Sequence, residues 1–136
     1  MSEDRPQVGL LDTSAIIAGE EGRPLREEAL PEATVISIVT VAELRAGVLA
    51  APDIETRDRR LATLERVSAV AVFPIDHRVA GTWAGMRAHL AASRKRVAAN
   101  DLWIAATAAA NRMPVVTQDD DFYALSGVNG LAVIEV

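Results

Sequence analysis

Short apolar runs alternate with longer helical patterns along most of this chain. Val8–Leu11 and Val115–Thr117 are brief and rich in apolar or β-branched residues, which is typical of strands buried on both faces of a parallel sheet. Residues 34–38, 69–75 and 131–135 have the same character, so about five strands are expected. Strands that alternate with helices predict an α/β domain with a mostly parallel sheet flanked by helices.

The segments between these strands carry helix signals. Helices are expected over residues 40–50, 53–68, 76–93 and 100–110. Thr40 opens the first of them with T-V-A-E, a capping-box pattern that places the helix start at that residue. Asn100 is expected to cap the last and most apolar of them. The stretch between the first two strands contains Gly19 and Gly22 and is expected to be a loop that could hold a short helix.

The composition bounds the kind of protein without identifying it. The 136 residues are 50% apolar and 24% charged, which is typical of a globular chain, so we expect one domain over residues 1–136. The absence of cysteine excludes disulfides, thiolate metal sites and cysteine nucleophiles. The polar, acidic N-terminus is unlike a signal peptide, and no apolar run approaches the ~20 residues of a membrane span. A soluble, cytoplasmic protein is expected.

Four carboxylates lie at the ends of predicted strands or at the starts of predicted helices. They are Asp12 in VGLLDTSAII, Glu43 in VISIVTVAEL, Asp101 in AANDLWIAATAAA and Asp119 in VVTQDDDF. Because carboxylates are rarely buried without a partner, four of them attached to the apolar elements of one domain indicate a shared cation. Each also has a separate explanation as a capping, helix-dipole or turn residue. All four explanations would have to hold together, so a shared metal site is favoured.

The chemistry of these acids narrows the cation. An all-oxygen ligand set selects hard cations, so Mg²⁺ or Mn²⁺ is expected rather than zinc. Two such ions could clamp the attacking and leaving oxygens of a phosphoryl displacement, which is hydrolytic nuclease chemistry. The net charge of −5 argues against a passive nucleic-acid coat, but it is compatible with a nuclease whose metal ions meet the phosphate.

Other side chains near the acids are candidates for tuning the site. Thr13, Ser14 and Thr117 can hydrogen-bond a carboxylate or a metal-bound water, although local turn and cap bonds are the alternative for each. Asp121 follows Asp119 by two residues, so the position of the fourth acid is open within the run D-D-D.

A cluster of cations follows the predicted helix over residues 76–93. Arg94, Lys95 and Arg96 are consecutive, and Arg87 lies on the helix itself. A solvated loop is the simpler interpretation of this run, but beside an acidic metal site these side chains could receive a phosphate backbone.

Four segments together resemble the motifs of a known family. LLDTSAII, TVAELRAG, ANDLWIAATA and VVTQDDDF resemble the four motifs of PIN-domain ribonucleases, specifically the VapC-like toxins of prokaryotic toxin–antitoxin pairs. The likeness covers nearly the whole chain in the right order. The family's acidic quartet falls on the four acids named above, and its supporting hydroxyl positions fall on Ser14 and Thr117. Asp121 matches the acid of the family's final D-F pair, so the resemblance leaves a direct metal role open for it.

The resemblance implies a single PIN domain with a Rossmann-like sheet, Mg²⁺- or Mn²⁺-dependent endonucleolytic cleavage of RNA, and a homodimer. It also implies a small antitoxin protein whose C-terminal segment blocks the active site. On this interpretation, Arg87 and residues 94–96 are candidate RNA-binding residues. RNA would be hydrolysed by a two-metal-type mechanism in an unpaired segment.

Other functions share parts of this pattern. An aspartyl phosphatase also carries an Asp after its first strand, but its chemistry usually needs a second nearby Asp, which LLDTSA lacks. A PIN-domain nuclease in RNA maturation, or an inactive PIN module that binds a partner through its acidic pocket, would have a similar core. The complete set of four acids favours an active ribonuclease.

Overall fold

A computed structural model describes residues 5–136, so the first four residues of the polar N-terminal segment lie outside the described part. The strands are Val8–Leu11 (β1), Ala33–Ser37 (β2), Val72–Phe73 (β3), Val115–Thr117 (β4) and Val133–Glu135 (β5). The helices are Thr13–Glu20 (α1), Ile38–Leu49 (α2), Ile54–Val67 (α3), His77–Ser93 (α4) and Ala99–Ala110 (α5). Short 3₁₀ turns cover Glu27–Ala29, Asp121–Leu125 and Val128–Gly130. The predicted α/β class is confirmed.

The five strands form one parallel sheet in the order β3-β2-β1-β4-β5. β1 is central: Leu10 pairs with Val35 of β2 on one side and with Val115 of β4 on the other. The chain moves outward from β1 through β2 to β3 and then returns to the opposite side of β1 for β4. This reversal places a crevice between the carboxyl ends of β1 and β4, where ligands bind in open parallel sheets.

Alternate residues of β2 supply the two faces of the sheet. Val35 packs into a core with α4 and α5, which contains Leu10, Met86, Ile104 and Phe122. Ile36, the next residue, faces a second core with α1, α2 and α3, which contains Ile16, Leu44, Val48 and Leu64. Successive side chains of a strand point to opposite faces, so one apolar run serves both layers. The helices therefore hold the sheet from both sides and fix the positions of the strand ends.

Gly9 of β1 lies where no larger residue fits. A Cβ atom at this position would lie 2.6 Å from Pro31 Cγ and 2.8 Å from Val116 Cγ2. Both distances are below van der Waals contact, and β1 is held between β2 and β4. Glycine at position 9 therefore allows Pro31 and the neighbouring strand to close on β1.

Two predicted helix starts are wrong. Helix α2 begins at Ile38 rather than Thr40, because the Ser37 hydroxyl accepts a hydrogen bond from the Val39 N–H at 3.0 Å and caps the helix earlier. Thr40 is then a fully buried residue inside the helix, and the expected capping box does not form. Helix α5 begins one residue before Asn100, because the Leu102 N–H donates to the Ala98 carbonyl at 3.0 Å.

Two further elements differ from the prediction in length. β3 covers only two residues of the expected strand over 69–75, because the Ala69 and Val70 N–H groups donate back to the last turn of α3 and delay the extended backbone. The stretch after β1, expected as a loop that could hold a short helix, contains the eight-residue helix α1 directly after Asp12.

None of the helices described within residues 5–136 is both long and apolar enough to cross a bilayer.

Candidate functional site

Asp12 follows β1 and lies at the crevice between β1 and β4. Its side chain is only 2% exposed. Ser14 Oγ donates to Asp12 Oδ2 at 2.7 Å, and Thr117 Oγ1 donates to the same oxygen at 3.0 Å. Each hydroxyl has one proton, so the 3.1 Å separation of the two hydroxyl oxygens adds no further bond. Asp12 Oδ1 has no side-chain donor within residues 5–136 and is the carboxylate oxygen available for a ligand.

The two hydroxyls that hold Asp12 are themselves fixed by the backbone after β4. Ser14 Oγ accepts from the Gln118 N–H at 3.1 Å, and Thr117 Oγ1 accepts from the Asp119 N–H at 3.0 Å. Each hydroxyl therefore accepts from one backbone group and donates to Asp12. This arrangement joins the start of α1 to the end of β4 and sets the orientation of the Asp12 carboxylate.

Glu43 approaches the crevice from the second turn of α2. Its Oε1 accepts a hydrogen bond from Thr13 Oγ1 at 2.8 Å, and the same Thr13 hydroxyl lies 3.1 Å from Thr40 Oγ1. Thr13 is therefore the partner of Glu43, whereas its neighbour Ser14 is the partner of Asp12. Thr40, interpreted from sequence as a cap, instead lies buried beside this contact.

Asp101 lies in the first turn of α5 and is half-buried. Burial, followed in order by the charges of Asp12, Asp121, Glu43 and Asp119, raises its pKa to about 7. The five acids therefore share one electrostatic environment, although they come from four separate segments. Neutralising any one of them lowers the repulsion felt by the others.

Two other acids show the same effect. Burial raises the pKa of Asp12, and the hydrogen bonds from Ser14 and Thr117 oppose the shift. Desolvation raises the pKa of Asp119, the charges of Asp12 and Asp121 add to it, and Arg23 lowers it. Arg23 is a site neighbour that the sequence does not reveal, because it lies on a loop 96 positions before Asp119. Arg23 is thus the one cation that lowers the pKa of any of these three acids within residues 5–136.

The donor chemistry fits a hard divalent cation. Carboxylate and hydroxyl oxygens are the groups present. A cation would offset the burial that raises all three pKa values and the like charge that adds to the shifts of Asp101 and Asp119. Within residues 5–136, however, no three acidic or histidine side chains are close enough together to ligate one ion as they stand. The acids are near enough to repel one another but too far apart to coordinate one ion together. Their side chains must therefore move when an ion binds.

We expect Asp101→Asn to stabilise the fold in metal-free buffer near pH 8. The Asp101 carboxyl has a pKa of about 7 in the folded chain against 3.8 as the ordinary value, so the folded state binds more protons between these values. Its contribution to stability is complete below about pH 4 and is lost as the pH rises through about 7. Allowing for half exposure, we expect about 1 to 2 kcal/mol.

Thermal unfolding in EDTA between about pH 5 and about pH 8 measures this effect. The wild-type melting temperature should fall as the pH rises, and Asp101→Asn should show a flatter profile. Asp58→Asn, which changes an exposed acid of α3, is the matched control and should keep the wild-type slope. Equal slopes for the Asp101 and Asp58 variants would contradict the expectation.

The predicted cations gather around one pocket. Arg87 of α4 and the three cations at residues 94–96 line an open pocket of about 520 Å³ at the junction of α4 and α5. Leu102 forms part of its wall, directly after Asp101 in α5. The structure therefore places the cations beside the helix turn that carries one of the predicted acids.

The fold belongs to a recognised class of proteins. The sequence matches the PIN domain over residues 9–128, and the chain belongs to this family. It is 51% identical to "Ribonuclease VapC5" of Mycobacterium tuberculosis over 131 residues, covering 96% of this chain and 97% of that protein. It is 37% identical over 124 residues to "Ribonuclease VapC4" of the same organism, covering 91% and 95% of the two chains.

A solved structure agrees with the sequence relatives. The fold superposes with a TM-score of 0.91 on a chain from the crystal structure of VapBC-5, a member of the VapBC family of toxin–antitoxin systems from Mycobacterium tuberculosis. The two chains are 49% identical, and the match covers 96% of this chain and 100% of that one. The resemblance to VapC-like PIN-domain proteins is therefore confirmed.

Proposed function

We propose that this chain is a divalent-metal-dependent endoribonuclease that acts as the toxin of a toxin–antitoxin pair. The observation that carries the proposal is the buried Asp12 carboxylate, fixed by two hydroxyls at the crevice of the sheet and surrounded by other acids. The relatives named as VapC ribonucleases support the same activity. We further propose that residues 1–136 form one PIN domain.

The proposed catalytic residues are the four acids Asp12, Glu43, Asp101 and Asp119. They would hold Mg²⁺ or Mn²⁺, which when bound lowers the pKa of a water molecule and offsets charge on the phosphate. Ser14 and Thr117 fix one oxygen of Asp12 and leave the other free to bind. Thr13 orients Glu43 in the same way. Asp121 adds to the field at Asp101 and is a proposed supporting acid.

The reaction assigned to this site is hydrolysis of an RNA phosphodiester bond. Water attacks phosphorus, the bond from phosphorus to the leaving ribose oxygen breaks, and a proton reaches that oxygen. The acids of this chain repel a phosphate when no cation is present, because the site gathers negative charge. Entry of the scissile phosphate among the acids should therefore depend on the cation as strongly as the chemistry does.

The proposed partners are RNA, a small cognate antitoxin and a second copy of this chain. The similarity to the VapBC-5 chain supports the antitoxin, since VapBC-5 is a toxin–antitoxin system. Exposed apolar side chains also support a protein partner. Leu49 and Ile54, at the junction of α2 and α3, are each 78% exposed. Such residues gain from being covered by another protein surface.

We expect the purified chain to cut total cellular RNA into discrete fragments with Mg²⁺ or Mn²⁺ and to leave it intact in EDTA. The reason is that the acids repel the phosphate backbone and leave the water unactivated without the cation. Gel electrophoresis with mapping of the fragment ends measures the outcome. Restored cleavage when Mn²⁺ is added back in excess of EDTA is the control against protein damage.

The toxin role has a separate test. Expression of the chain alone should arrest growth, and co-expression of the adjacent small gene should relieve the arrest. Fragmentation that persists in EDTA would contradict the metal dependence. Metal-dependent cleavage without growth arrest would favour a role in RNA maturation over a role as a toxin.

A further inference from the structure

The pocket at the junction of α4 and α5 is positively charged, although the chain as a whole is acidic. Its cations are Arg87, Arg94, Lys95 and Arg96, and the other lining residues are Leu90, Ala91, Val97 and Leu102. No acid lines it, although the whole chain carries a net charge of −5. Among residues 5–136, none of its four cations takes part in an ion pair. Unpaired cations around a concave surface favour an anionic ligand.

Part of the pocket wall is formed by two packed helices. Arg87, Leu90 and Ala91 are spaced at 3 and 4 residues and so form one stripe along α4, and Arg94 directly follows the end of the helix. Helix α4 is held against α5 by Trp83 and Trp103, whose rings stack with centroids 4.8 Å apart at an angle of 15°. Two packed helices therefore form one part of the pocket wall, and the connection between them, residues 94–97, forms the other part.

Arg94 stands in a backbone conformation that glycine would adopt more easily. Its φ is 56°, in the left-handed region, where an L side chain costs roughly 1 to 2 kcal/mol. The Lys95 N–H donates to Leu90 O and the Arg94 N–H donates to Ala91 O, which is the Schellman arrangement that usually ends in glycine. The side chain of Arg94 therefore starts from a left-handed backbone position directly after α4, at the edge of the pocket.

We propose that this pocket receives a backbone phosphate of single-stranded RNA next to the bond that is cut. The inference rests on the proposed ribonuclease function and adds how the substrate is positioned. Leu102 in the pocket wall follows Asp101 directly, so the pocket and this acid share the start of α5. Arginine suits this ligand, because its guanidinium donates two parallel hydrogen bonds to phosphate oxygens.

A simpler role for these cations is to complement the dipole at the carboxyl end of α4. The chain contains a matched control for this alternative. Arg112 also has a left-handed φ, of 55°, and it ends α5 with the same pair of hydrogen bonds, from Met113 N–H to Ala108 O and from Arg112 N–H to Ala109 O. By helix rise, it lies about 16 Å along α5 from Asp101.

The test compares Arg94→Gly with Arg112→Gly. Both variants remove one positive charge and relieve the same backbone strain, so both should melt roughly 2 to 5 °C above the wild type. Only Arg94→Gly should bind a fluorescein-labelled oligouridylate more weakly, by about tenfold, as measured by fluorescence anisotropy in EDTA at low salt. It should also raise the apparent KM for cleavage of total RNA and change kcat little.

A second pair of variants leaves the backbone strain unchanged. Lys95→Gln with Arg96→Gln should lower the salt dependence of oligouridylate binding by about 0.7 in log–log slope for each phosphate that is no longer neutralised. Arg57→Gln with Arg66→Gln removes the same charge from α3 and should leave the slope closer to that of the wild type.

Equal affinities for Arg94→Gly and Arg112→Gly, or no oligouridylate binding by the wild type at low salt, would overturn the pocket proposal. A stability loss confined to Arg94→Gly, with affinity unchanged, would favour the dipole role and overturn it as well. Binding in EDTA does not require cleavage. A chain that binds through this pocket but never cuts RNA would therefore contradict the proposed function and leave the pocket proposal standing.

Discussion

Asp12→Asn should reduce RNA cleavage by at least about 100-fold, since even residues that only orient metal ligands typically contribute 10- to 100-fold. The asparagine oxygen can still accept hydrogen bonds from Ser14 and Thr117, so the side chain keeps its place. Its NH₂ group then occupies the position of the free Oδ1. A hydrogen-bond donor at that position repels a cation instead of binding it. The loss should appear in kcat/KM with Mg²⁺ and with Mn²⁺.

Circular dichroism and thermal unfolding provide the controls for Asp12→Asn. Asparagine is close in size to aspartate and loses an ionised group whose pKa burial raises, so the fold should be retained. Asp58→Asn, on the exposed side of α3, should cut RNA at the wild-type rate. A folded Asp12→Asn chain that cleaves RNA at the wild-type rate would refute the role proposed for this carboxylate.

Gly9→Ala should be the most destabilising of the single substitutions considered, by about 2 to 3 kcal/mol. The new methyl group would lie 2.6 Å from Pro31 Cγ and 2.8 Å from Val116 Cγ2, so the proline ring or the strand must move. β1 is the central strand, and its displacement would disturb packing on both faces of the sheet. The melting temperature should fall by roughly 6 to 12 °C.

Gly81→Ala is the matched control for this substitution. Gly81 lies inside α4, and nothing lies within 4 Å of an added Cβ atom. Alanine there should stabilise the chain by about 0.5 to 1 kcal/mol, because glycine is a poor helix former. Thermal unfolding of the two variants side by side separates crowding at position 9 from any general effect of replacing glycine. If the Gly9→Ala variant has the melting temperature of the wild type, Pro31 moves aside without a cost in stability, and the expectation is wrong.

The sequence predicted the central strands better than the element starts. The observed bounds of β1 and β4 coincide with the prediction, because buried parallel strands appear as short apolar runs with polar residues after them. The start of α2 was wrong because Ser37 and Thr40 are both good capping residues, and only tertiary structure decides between them. Helix α1 lacked an amphipathic pattern, since its buried residues lie on several sides.

The candidate site was predictable in its residue types but not in its pairings. Acids and hydroxyls next to strand ends were identifiable from local pattern. That Thr13 donates to Glu43 and Thr117 donates to Asp12 depends on how α2 and β4 approach the start of α1. The same is true of Arg23 near Asp119. Contacts between segments so far apart in sequence are set by packing, and no local signal encodes them. The roles of these residues in catalysis remain predictions.

The hydroxyl contacts around Asp12 also bear on synthesis of the chain. Ser14 and Thr117 are separated by 103 positions, yet both must be in place to orient the carboxylate. While β4 is still inside the ribosome, α1 lacks the strand that supplies Thr117. Asp12 is then an ordinary hydrated acid. Loop closure over such a distance comes late in folding. On this basis, the protein gains the means to attack RNA only after β4 has been made and has paired with β1.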